Sequence, residues 1–518
     1  MHESKLGLFL VVAVVRFILN AEGSQSSEQP RWVHQQTRLG PLDQSASGVV
    51  RSETENGCRV ALIKRLGNKW QVVVDSVAGP EFDAIVSDAL IFSADGRRVA
   101  YTARKGNRWQ VVVDGVAGPE FDGIGQGTVI FSPNSKRVAY VAVKEGKQLV
   151  FVDGVAGPEF DGIVNSTLVF SPDGKRIAYA IGKGSKRQLL VDGVAGPEFD
   201  GIGQGTVIFS PNSKRVAYAA VKGGKQLIVV DGVAGPEFDG IARGTLAFSS
   251  DSKRIAYTAR NGSRWQVVVD GEAGPAFDGI GQGTLVFSPD GKRIAYAAVK
   301  GNKQSVVVDG AAGPGFDGIL QGSLIFSPDG RRVAYAVVKG SRQLVAVDDA
   351  TGPEFDGIAK GTVTFSPDSK RVAYVAMKGS KQLVAVDGRA GPEFDGILRG
   401  SPIFSPNSRR VAYAARNGIR WQVVVDGEAG PAFDGILQGT IIFSSDGKQL
   451  AYVAGKSGKQ SVIIDIVSGP EFVGIVAGPV LRKDGTLEYL AAEKATEKAT
   501  DSQTLVRVVV PGFSPPLP

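Results

Sequence analysis

A fixed period of 39 residues runs through most of this chain and limits what it can fold into. A Phe-Ser dipeptide marks each repeat, and no insertion interrupts the series. The marker residues are Phe92, Phe131, Phe170, Phe209, Phe248, Phe287, Phe326, Phe365, Phe404 and Phe443. A strict period of about 40 residues is typical of a repeat architecture, in which similar units stack on their neighbours and bury a shared core.

Each repeat predicts four short strands. Residues 127–166 contain four apolar runs, at 128–131, 137–143, 148–153 and 159–163. These runs are rich in Val, Ile, Tyr and Phe, while Pro, Asn, Gly and Asp mark the turns between them. Four strands in about 40 residues predict a β-propeller blade. A β-solenoid is the alternative, but the hairpin-like turns favour antiparallel strands over the parallel strands of a solenoid.

The two ends of the repeat array predict how the propeller closes. Residues 40–43 match a fourth strand that has no blade before it, whereas the last repeat, which ends near residue 510, has no fourth strand. The N-terminal strand should therefore complete the last blade and remove an exposed sheet edge. Counting from Val49 gives about twelve blades in an all-β fold. Two six-bladed propellers in tandem are the alternative, although no break in the period marks a junction.

The ten-residue stretch FSPDGKRIAY, at residues 170–179 and 287–296, resembles the WD40-like repeat of TolB-type β-propellers. Related forms of the stretch occur in ten successive repeats. The resemblance implies a propeller fold and an extracytoplasmic protein. Related blades also occur beside hydrolase domains in prolyl-oligopeptidase-like enzymes, but this chain has no Gly-x-Ser-x-Gly motif.

Most aromatic residues follow the period and are predicted to form the core between blades. Phenylalanine recurs in the Phe-Ser dipeptide and in a Phe-Asp dipeptide such as Phe121-Asp122, and tyrosine recurs nine residues after the first of these, as at Tyr140. The lone cysteine, Cys58, excludes an internal disulfide and is interpreted as incidental.

The N-terminal segment predicts export. His2 and Lys5 precede an apolar run at residues 6–15, and small residues follow at 21–24, as in a signal peptide. The predicted organisation is a signal peptide at 1–24, a polar leader at 25–38, the propeller at 39–511 and a Pro-rich tail at 512–518. The protein is therefore expected to be secreted or periplasmic.

The residue types exclude several kinds of chemistry. The two histidines, His2 and His34, precede the repeats, so a Ser-His-Asp or Cys-His system or a His-rich metal site is not available in the repeats. Aspartates recur beside glycine, as at Asp114 and Asp122, and are predicted to bond backbone N–H groups in turns rather than calcium. We expect no catalytic residue, cofactor or metal site, and thus a protein that is not an enzyme.

Basic residues recur at two turns of each repeat. One set precedes the second strand, as at Arg97 and Arg98, and is predicted to share its face with the acidic GPEFD segment. The other set flanks the hairpin between the second and third strands. The face of the propeller that carries these hairpins is predicted to be distinctly basic. The candidate binding residues on that face are Trp109, Lys144, Lys147, Lys222, Lys225, Trp265, Lys300, Lys303 and Trp421.

These observations predict an exported, monomeric scaffold that binds a protein or a glycan. The partner would be a protein or polysaccharide in the cell envelope or exterior, and nucleic acid is not expected. A binder of anionic polymers is one alternative, because the formal net charge is +7. A polysaccharide-active enzyme is another, but it would need a non-repeated cluster of acids at the ring centre.

Overall fold

The computed structural model describes residues 34–42, 48–54, 57–494 and 503–513. They form twelve small antiparallel sheets, each with four strand positions, arranged as a twelve-bladed β-propeller. One short 3-10 helix, Ser87–Ala89, is the only helical element in the described residues. The predicted all-β fold and blade number are confirmed. The predicted signal peptide lies outside the described residues.

Blade 3 illustrates the common unit. Its strands, in sheet order, are a first strand in two halves, Gly123–Ile124 and Ile130–Phe131, then Val138–Lys144, Lys147–Val152 and Val155–Phe160. The second and third strands form a tight hairpin, in which Lys144 lies opposite Lys147. Pro158 lies on the fourth strand, an edge strand where a missing N–H removes no ladder hydrogen bond.

The other blades repeat this unit. The second strands are Gly57–Leu66, Val99–Lys105, Val138–Lys144, Ile177–Lys183, Val216–Lys222, Ile255–Asn261, Ile294–Lys300, Val333–Lys339, Val372–Lys378, Val411–Asn417, Leu450–Lys456 and Leu487–Lys494. The third strands are Lys69–Val74, Arg108–Val113, Lys147–Val152, Lys186–Val191, Lys225–Val230, Arg264–Val269, Lys303–Val308, Arg342–Val347, Lys381–Val386, Arg420–Val425, Lys459–Ile464 and Gln503–Val510.

Most edge strands are shorter, except those at the closure of the ring. The first strands, from blade 1 onward, are Gly48–Thr54, Ala84–Ile85 with Ile91–Phe92, Gly123–Ile124 with Ile130–Phe131, Val169–Phe170, Gly201–Ile202 with Ile208–Phe209, Gly240–Ile241 with Ala247–Phe248, Gly279–Ile280 with Val286–Phe287, Gly318–Ile319 with Ile325–Phe326, Gly357–Ile358 with Thr364–Phe365, Gly396–Ile397 with Ile403–Phe404, Gly435–Ile436 with Ile442–Phe443, and Gly474–Leu481. The fourth strands are Val77–Phe82, Val116–Ala117, Val155–Phe160, Val194–Phe199, Val233–Ala234, Glu272–Ala273, Ala311–Ala312, Ala350–Thr351, Arg389–Phe394, Glu428–Phe433, Val467–Ser468 and, for blade 12, Gln35–Leu42.

The hydrophobic core is divided into one cluster for each pair of neighbouring blades. Between blades 5 and 6, Phe238 packs edge-to-face on Tyr257 with their ring centroids 6.1 Å apart, and Ile228 closes the cluster. A further cluster joins Cys58 and Val60 of blade 1 to residues of blade 12. Because the described residues form such a cluster at every junction, including that between blades 12 and 1, the blades form one ring rather than two six-bladed propellers.

The two sets of phenylalanine differ in burial. The Phe-Asp phenylalanines and the tyrosines are nearly all buried, as predicted, with Phe238 5% exposed. Most phenylalanines of the Phe-Ser set, such as Phe287, are only half-buried and lie at the edge of their cluster. Assigning both sets equally to the core was therefore wrong in part, because the Phe-Ser ring supports a charged side chain instead.

That charged side chain is an arginine from the preceding blade. In blade 2, Arg98 Nε donates to Asp114 (2.8 Å), and Nη1 donates to the backbone carbonyl of Lys136 in blade 3 (2.7 Å). Its guanidinium lies over the Phe131 ring, 5.3 Å from the centroid. The arginines in this position are Arg59, Arg98, Arg137, Arg176, Arg215, Arg254, Arg293, Arg332, Arg371 and Arg410.

The repeated aspartates beside these arginines lie in turns, as predicted, but their side chains bond an N–H at the start of the second strand. Asp114 Oδ1 accepts the N–H of Val99 (2.9 Å), and Asp114 has a positive φ of 52° before a glycine. In blade 11 Gln449 replaces the arginine. Burial there raises the pKa of the Asp465 carboxyl, although Arg410 and a backbone hydrogen bond favour the charged form.

The N-terminal strand closes the ring, as predicted. Gln35–Leu42 pairs antiparallel with Gln503–Val510 and forms the outer strand of blade 12. This strand begins within residues 25–38, which the sequence analysis assigned to a polar leader. Phe513, assigned to the C-terminal tail, is buried against the core of blade 12.

The junction between blades 12 and 1 differs from the others in its polar contacts. Glu488 is only 2% exposed and stands where other blades have alanine. Its Oε1 accepts the N–H of Cys58 (2.9 Å), and its Oε2 accepts a hydrogen bond from Arg482 (2.9 Å). Arg507 Nε lies 3.5 Å from Oε1. Cys58, which the sequence alone did not connect with any role, is fully buried in this junction.

Candidate binding surfaces

The strand directions place the turns of each blade on two faces of the ring. We call the side that carries the second-to-third-strand hairpins the hairpin face, and the other side the turn face. The fourth strand runs from the turn face to the hairpin face. The aspartate of each Phe-Asp dipeptide follows the fourth strand and therefore lies on the hairpin face, beside the basic residues.

The hairpin face is not distinctly basic, which corrects the sequence prediction. Lys186 Nζ lies 2.6 Å from Asp200, and Lys303 Nζ lies 2.6 Å from Asp317. The reason is that the acidic segment follows the fourth strand across the ring, whereas the sequence analysis assigned it to the turn face.

The same aspartates also connect neighbouring blades. The second oxygen of Asp200 accepts the backbone N–H of Gly223 in the hairpin of blade 5 (2.8 Å). The hydrogen bond from Lys186 is the largest of the effects that lower the pKa of the Asp200 carboxyl below its usual range. These carboxylates therefore have structural partners on both sides.

The nine predicted binding residues do share the hairpin face, but most of them already have partners. Lys147, Lys225 and Lys303 pair with Asp161, Asp239 and Asp317. Lys144 lies 3.4 Å from Glu159 and Lys222 lies 3.8 Å from Glu237. Within the described part of the chain, Lys300 has no carboxylate partner, since Gly315 replaces the glutamate. Trp109, Trp265 and Trp421 are half-buried beneath Arg104, Arg260 and Arg416.

A second surface, whose residues were not among the predicted binding residues, lies at the ring centre. The first strands face the centre, where those of neighbouring blades contact each other, as Val286–Phe287 contacts Ile325–Phe326. Between its two halves, the first strand of blade 3 has a bulge at residues 125–129. Thr128 fixes the bulge, because its hydroxyl donates to the Gly125 carbonyl (2.7 Å) and accepts the N–H of Val141 (3.1 Å).

We call the tips of these bulges in blades 3 to 11 the inner rim. All of the tip side chains are polar and exposed. They are Gln126, Asn165, Gln204, Arg243, Gln282, Gln321, Lys360, Arg399 and Gln438. Neighbouring bulges also contact each other, since Gln321 Nε2 donates to the carbonyl of Gln282 (3.3 Å) and Gly205 N–H donates to the carbonyl of Ser166 (3.1 Å).

The inner rim carries basic side chains that form no ion pair with a carboxylate of the described chain. In the described chain, no carboxylate pairs with Arg243, Lys360 or Arg399, in contrast to the lysines and arginines that have partners on the hairpin face. Lys360 and Arg399 lie in consecutive blades. Asp88 of blade 2 lies at the matching bulge on the far side of the ring. In the sequence, these three cations are visible as replacements of the glutamine that is commonest at this position of the repeat.

The paired aspartates of the hairpin face predict acid sensitivity. Hydrogen bonds from lysine are the main cause of the lowered pKa values of Asp161, Asp200 and Asp239. Their folded pKa lies below the unfolded value, so the stabilisation is complete above the usual aspartate range and is lost as the pH falls through the folded pKa. We expect the urea midpoint to be flat from pH 7 to about 5 and to fall below about pH 4.

The triple variant Asp161→Asn, Asp200→Asn, Asp239→Asn is the control for this titration. It should be less stable at pH 7 and should lose less of its stability on acidification. An unchanged urea midpoint of the natural protein between pH 3 and pH 7 would contradict the structural role of these pairs.

The fold defines the class of this protein as a twelve-bladed β-propeller. No family model matches the chain, and no curated protein matches it. A eukaryotic initiation factor structure is 16% identical, covers 67% of this chain and 95% of its own, and has a TM-score of 0.33. TolB from Acinetobacter baumannii is 18% identical over 51% of this chain and 77% of its own, with a TM-score of 0.23. The Cps50 (Swd1) propeller domain from Myceliophteria thermophila is 13% identical over 51% and 97%, also with a TM-score of 0.23.

At these identities and TM-scores the similarities carry no functional argument. In the described residues, no helix is long and apolar enough to span a membrane. The same residues contain no group of three or more His, Cys, Asp or Glu side chains that could hold a metal ion.

Proposed function

We propose that this protein is an exported, non-enzymatic scaffold that binds an acidic polymer at the inner rim. The observation that carries the proposal is the set of rim cations, Arg243, Lys360 and Arg399, whose charges are not paired within the described chain. Rim amides such as Gln282 and Gln321 add hydrogen-bond donors and acceptors for a polar ligand.

The electrostatics of the ring favour the rim over the hairpin face. On the hairpin face, a polymer carboxylate would compete with aspartates that already hold the lysines at hydrogen-bond distance. At the rim it would replace only water. Neighbouring charges of one sign, as at Lys360 and Arg399 in consecutive blades, also raise the local concentration of a ligand of opposite sign. The expected ligand is a polysaccharide or protein segment rich in carboxylates, and export rests on the pattern of residues 1–24.

The test compares two variants that lose the same charge from different surfaces. The rim variant is Arg243→Gln, Lys360→Gln, Arg399→Gln, which introduces the residue already found at five of the nine tips. The control variant is Lys144→Gln, Lys222→Gln, Lys300→Gln on the hairpin face. Binding of fluorescent oligogalacturonate is followed by polarisation at low salt, with polyglutamate in a parallel series.

The rim variant should bind about tenfold more weakly, since each removed cation loses a screened attraction of a few tenths of a kcal/mol or more. The control variant should bind nearly as the natural protein does. Equal losses in the two variants would show a non-specific charge effect and would contradict the proposal. Preference for one polymer in the natural protein would distinguish a polysaccharide ligand from an acidic protein segment.

A further inference from the structure

A separate pocket lies between blades 9 and 10, away from the inner rim. It has a volume of about 720 Å³ and opens on the turn face. This volume is within the range of small-molecule sites, which span roughly 300–1,000 Å³. The lining residues that matter are Arg371, Asp387, Arg389, Gly391, Arg409 and Tyr413.

Two guanidinium groups that form no ion pair within the described residues line this pocket. Arg389 begins the fourth strand of blade 9, where six other blades have valine. Arg409 lies in the turn before the second strand of blade 10. In the described residues neither side chain has a carboxylate partner, whereas Arg371 is 3.1 Å from Asp387.

A buried hydroxyl in the lining also lacks a partner. Tyr413 is only 2% exposed, and in the described structure its hydroxyl has no hydrogen-bond partner. Its oxygen lies 3.8 Å from where a Cβ on Gly391 would stand, beside the fourth strand of blade 9. Burial raises the pKa of Tyr413 to about 12, so the group is a neutral donor at ordinary pH. A buried polar group without a partner is costly, and such groups usually have one.

The junction between blades 7 and 8 shows which chemical group fits beside this hydroxyl. There the turn after the third strand contains Asp349 in place of the usual glycine. Asp349 Oδ1 accepts a hydrogen bond from the Tyr335 hydroxyl (2.7 Å). The same oxygen lies 2.8 Å from where a Cβ on Gly313 would stand. A carboxylate of the chain itself thus occupies the place that corresponds to the space between Gly391 and Tyr413.

We propose that the pocket between blades 9 and 10 binds the carboxylate of a small organic acid. The Tyr413 hydroxyl donates to one carboxylate oxygen, as Tyr335 donates to Asp349. Arg389 and Arg409 neutralise the charge and select an anion over a neutral ligand. The site is independent of the inner rim and takes a compact molecule rather than a polymer.

The substitution Gly427→Asp tests the site, because the new carboxylate would occupy the place proposed for the carboxylate of the ligand. Gly427 occupies the position that corresponds to Asp349, two repeats further along the chain. The backbone there accepts an aspartate, because Asp349 adopts a positive φ of 65° in its own turn. The probe is radiolabelled citrate, measured by equilibrium dialysis with the full chain. Gly427→Asp should abolish citrate binding. The matched control, Gly115→Asp, places the same side chain at the junction of blades 1 and 2 and should leave citrate binding unchanged.

The variant Arg389→Val provides a second measurement if Gly427→Asp does not fold, because valine is native at this position in other blades. It should weaken citrate binding about tenfold, as expected for a lost hydrogen bond or ion pair to a charged group. The proposal is overturned if citrate does not bind, if it binds equally to both substituted proteins, or if inorganic phosphate competes as well as citrate does.

Discussion

Removing residues 35–42 is expected to abolish the compact monomer. The lost strand pairs along its length with Gln503–Val510, so its removal exposes the outer edge of blade 12. An unpaired strand edge is a template for pairing with other chains. Size-exclusion chromatography with light scattering should show loss of the monomer peak and a gain of aggregates or higher oligomers.

A chain that begins at residue 34 is the control, because it lacks the preceding residues but keeps the strand. It should remain monomeric. A well-behaved monomer without Gln35–Leu42 would show that this strand is dispensable for ring closure.

Phe238→Ala should be among the most destabilising single substitutions in the chain. Phe238 is buried between blades 5 and 6 and packs edge-to-face on Tyr257. Truncating a buried phenylalanine to alanine costs about 3–5 kcal/mol, through lost burial and the cavity that remains. Urea denaturation followed by tryptophan fluorescence measures the loss, and hydrogen exchange should locate it in blades 5 and 6.

Phe287→Ala removes the same side chain from a half-buried position and is the matched control. Part of the Phe287 surface is exposed, and the guanidinium of Arg254 lies over its ring, 5.9 Å from the centroid, so less apolar contact is lost. We expect a clearly smaller loss of stability than for Phe238→Ala. Equal losses would mean that both phenylalanine sets belong to one core.

The repeat pattern was sufficient to predict the fold because it constrains every blade in the same way. One 39-residue unit contains the hairpin of Val138–Lys144 with Lys147–Val152, and the apolar positions of the unit then fill each junction. The closure was predictable because the missing fourth strand at one end matched an extra strand at the other. The difference in burial between Phe238 and Phe287 could not be predicted, because the spacing of residues in the sequence does not show which phenylalanine ring packs against a guanidinium.

The binding surfaces were less predictable because they depend on which charges meet in space. Lys186 and Asp200 are 14 residues apart, and only the path of the fourth strand brings them together. The rim cations and Arg389 are visible in the sequence as departures from the repeat. Their lack of partners follows only from the structure, since every basic residue looks alike in a one-dimensional pattern.

Glu488 has a consequence for how repeats can be gained or lost. In inner blades the N–H equivalent to that of Cys58 is already bonded within its own turn, as Arg97 N–H is bonded to Asp95 (3.0 Å). Packed against any of them, a blade carrying Glu488 would keep its own Arg482 contact but would lose the backbone donor that Cys58 supplies to Oε1. The contact between the terminal blades therefore specifies which ends meet, but not how many blades stand between them. Duplication or deletion of whole 39-residue units among the inner blades would leave this contact intact, whereas loss of either end would not.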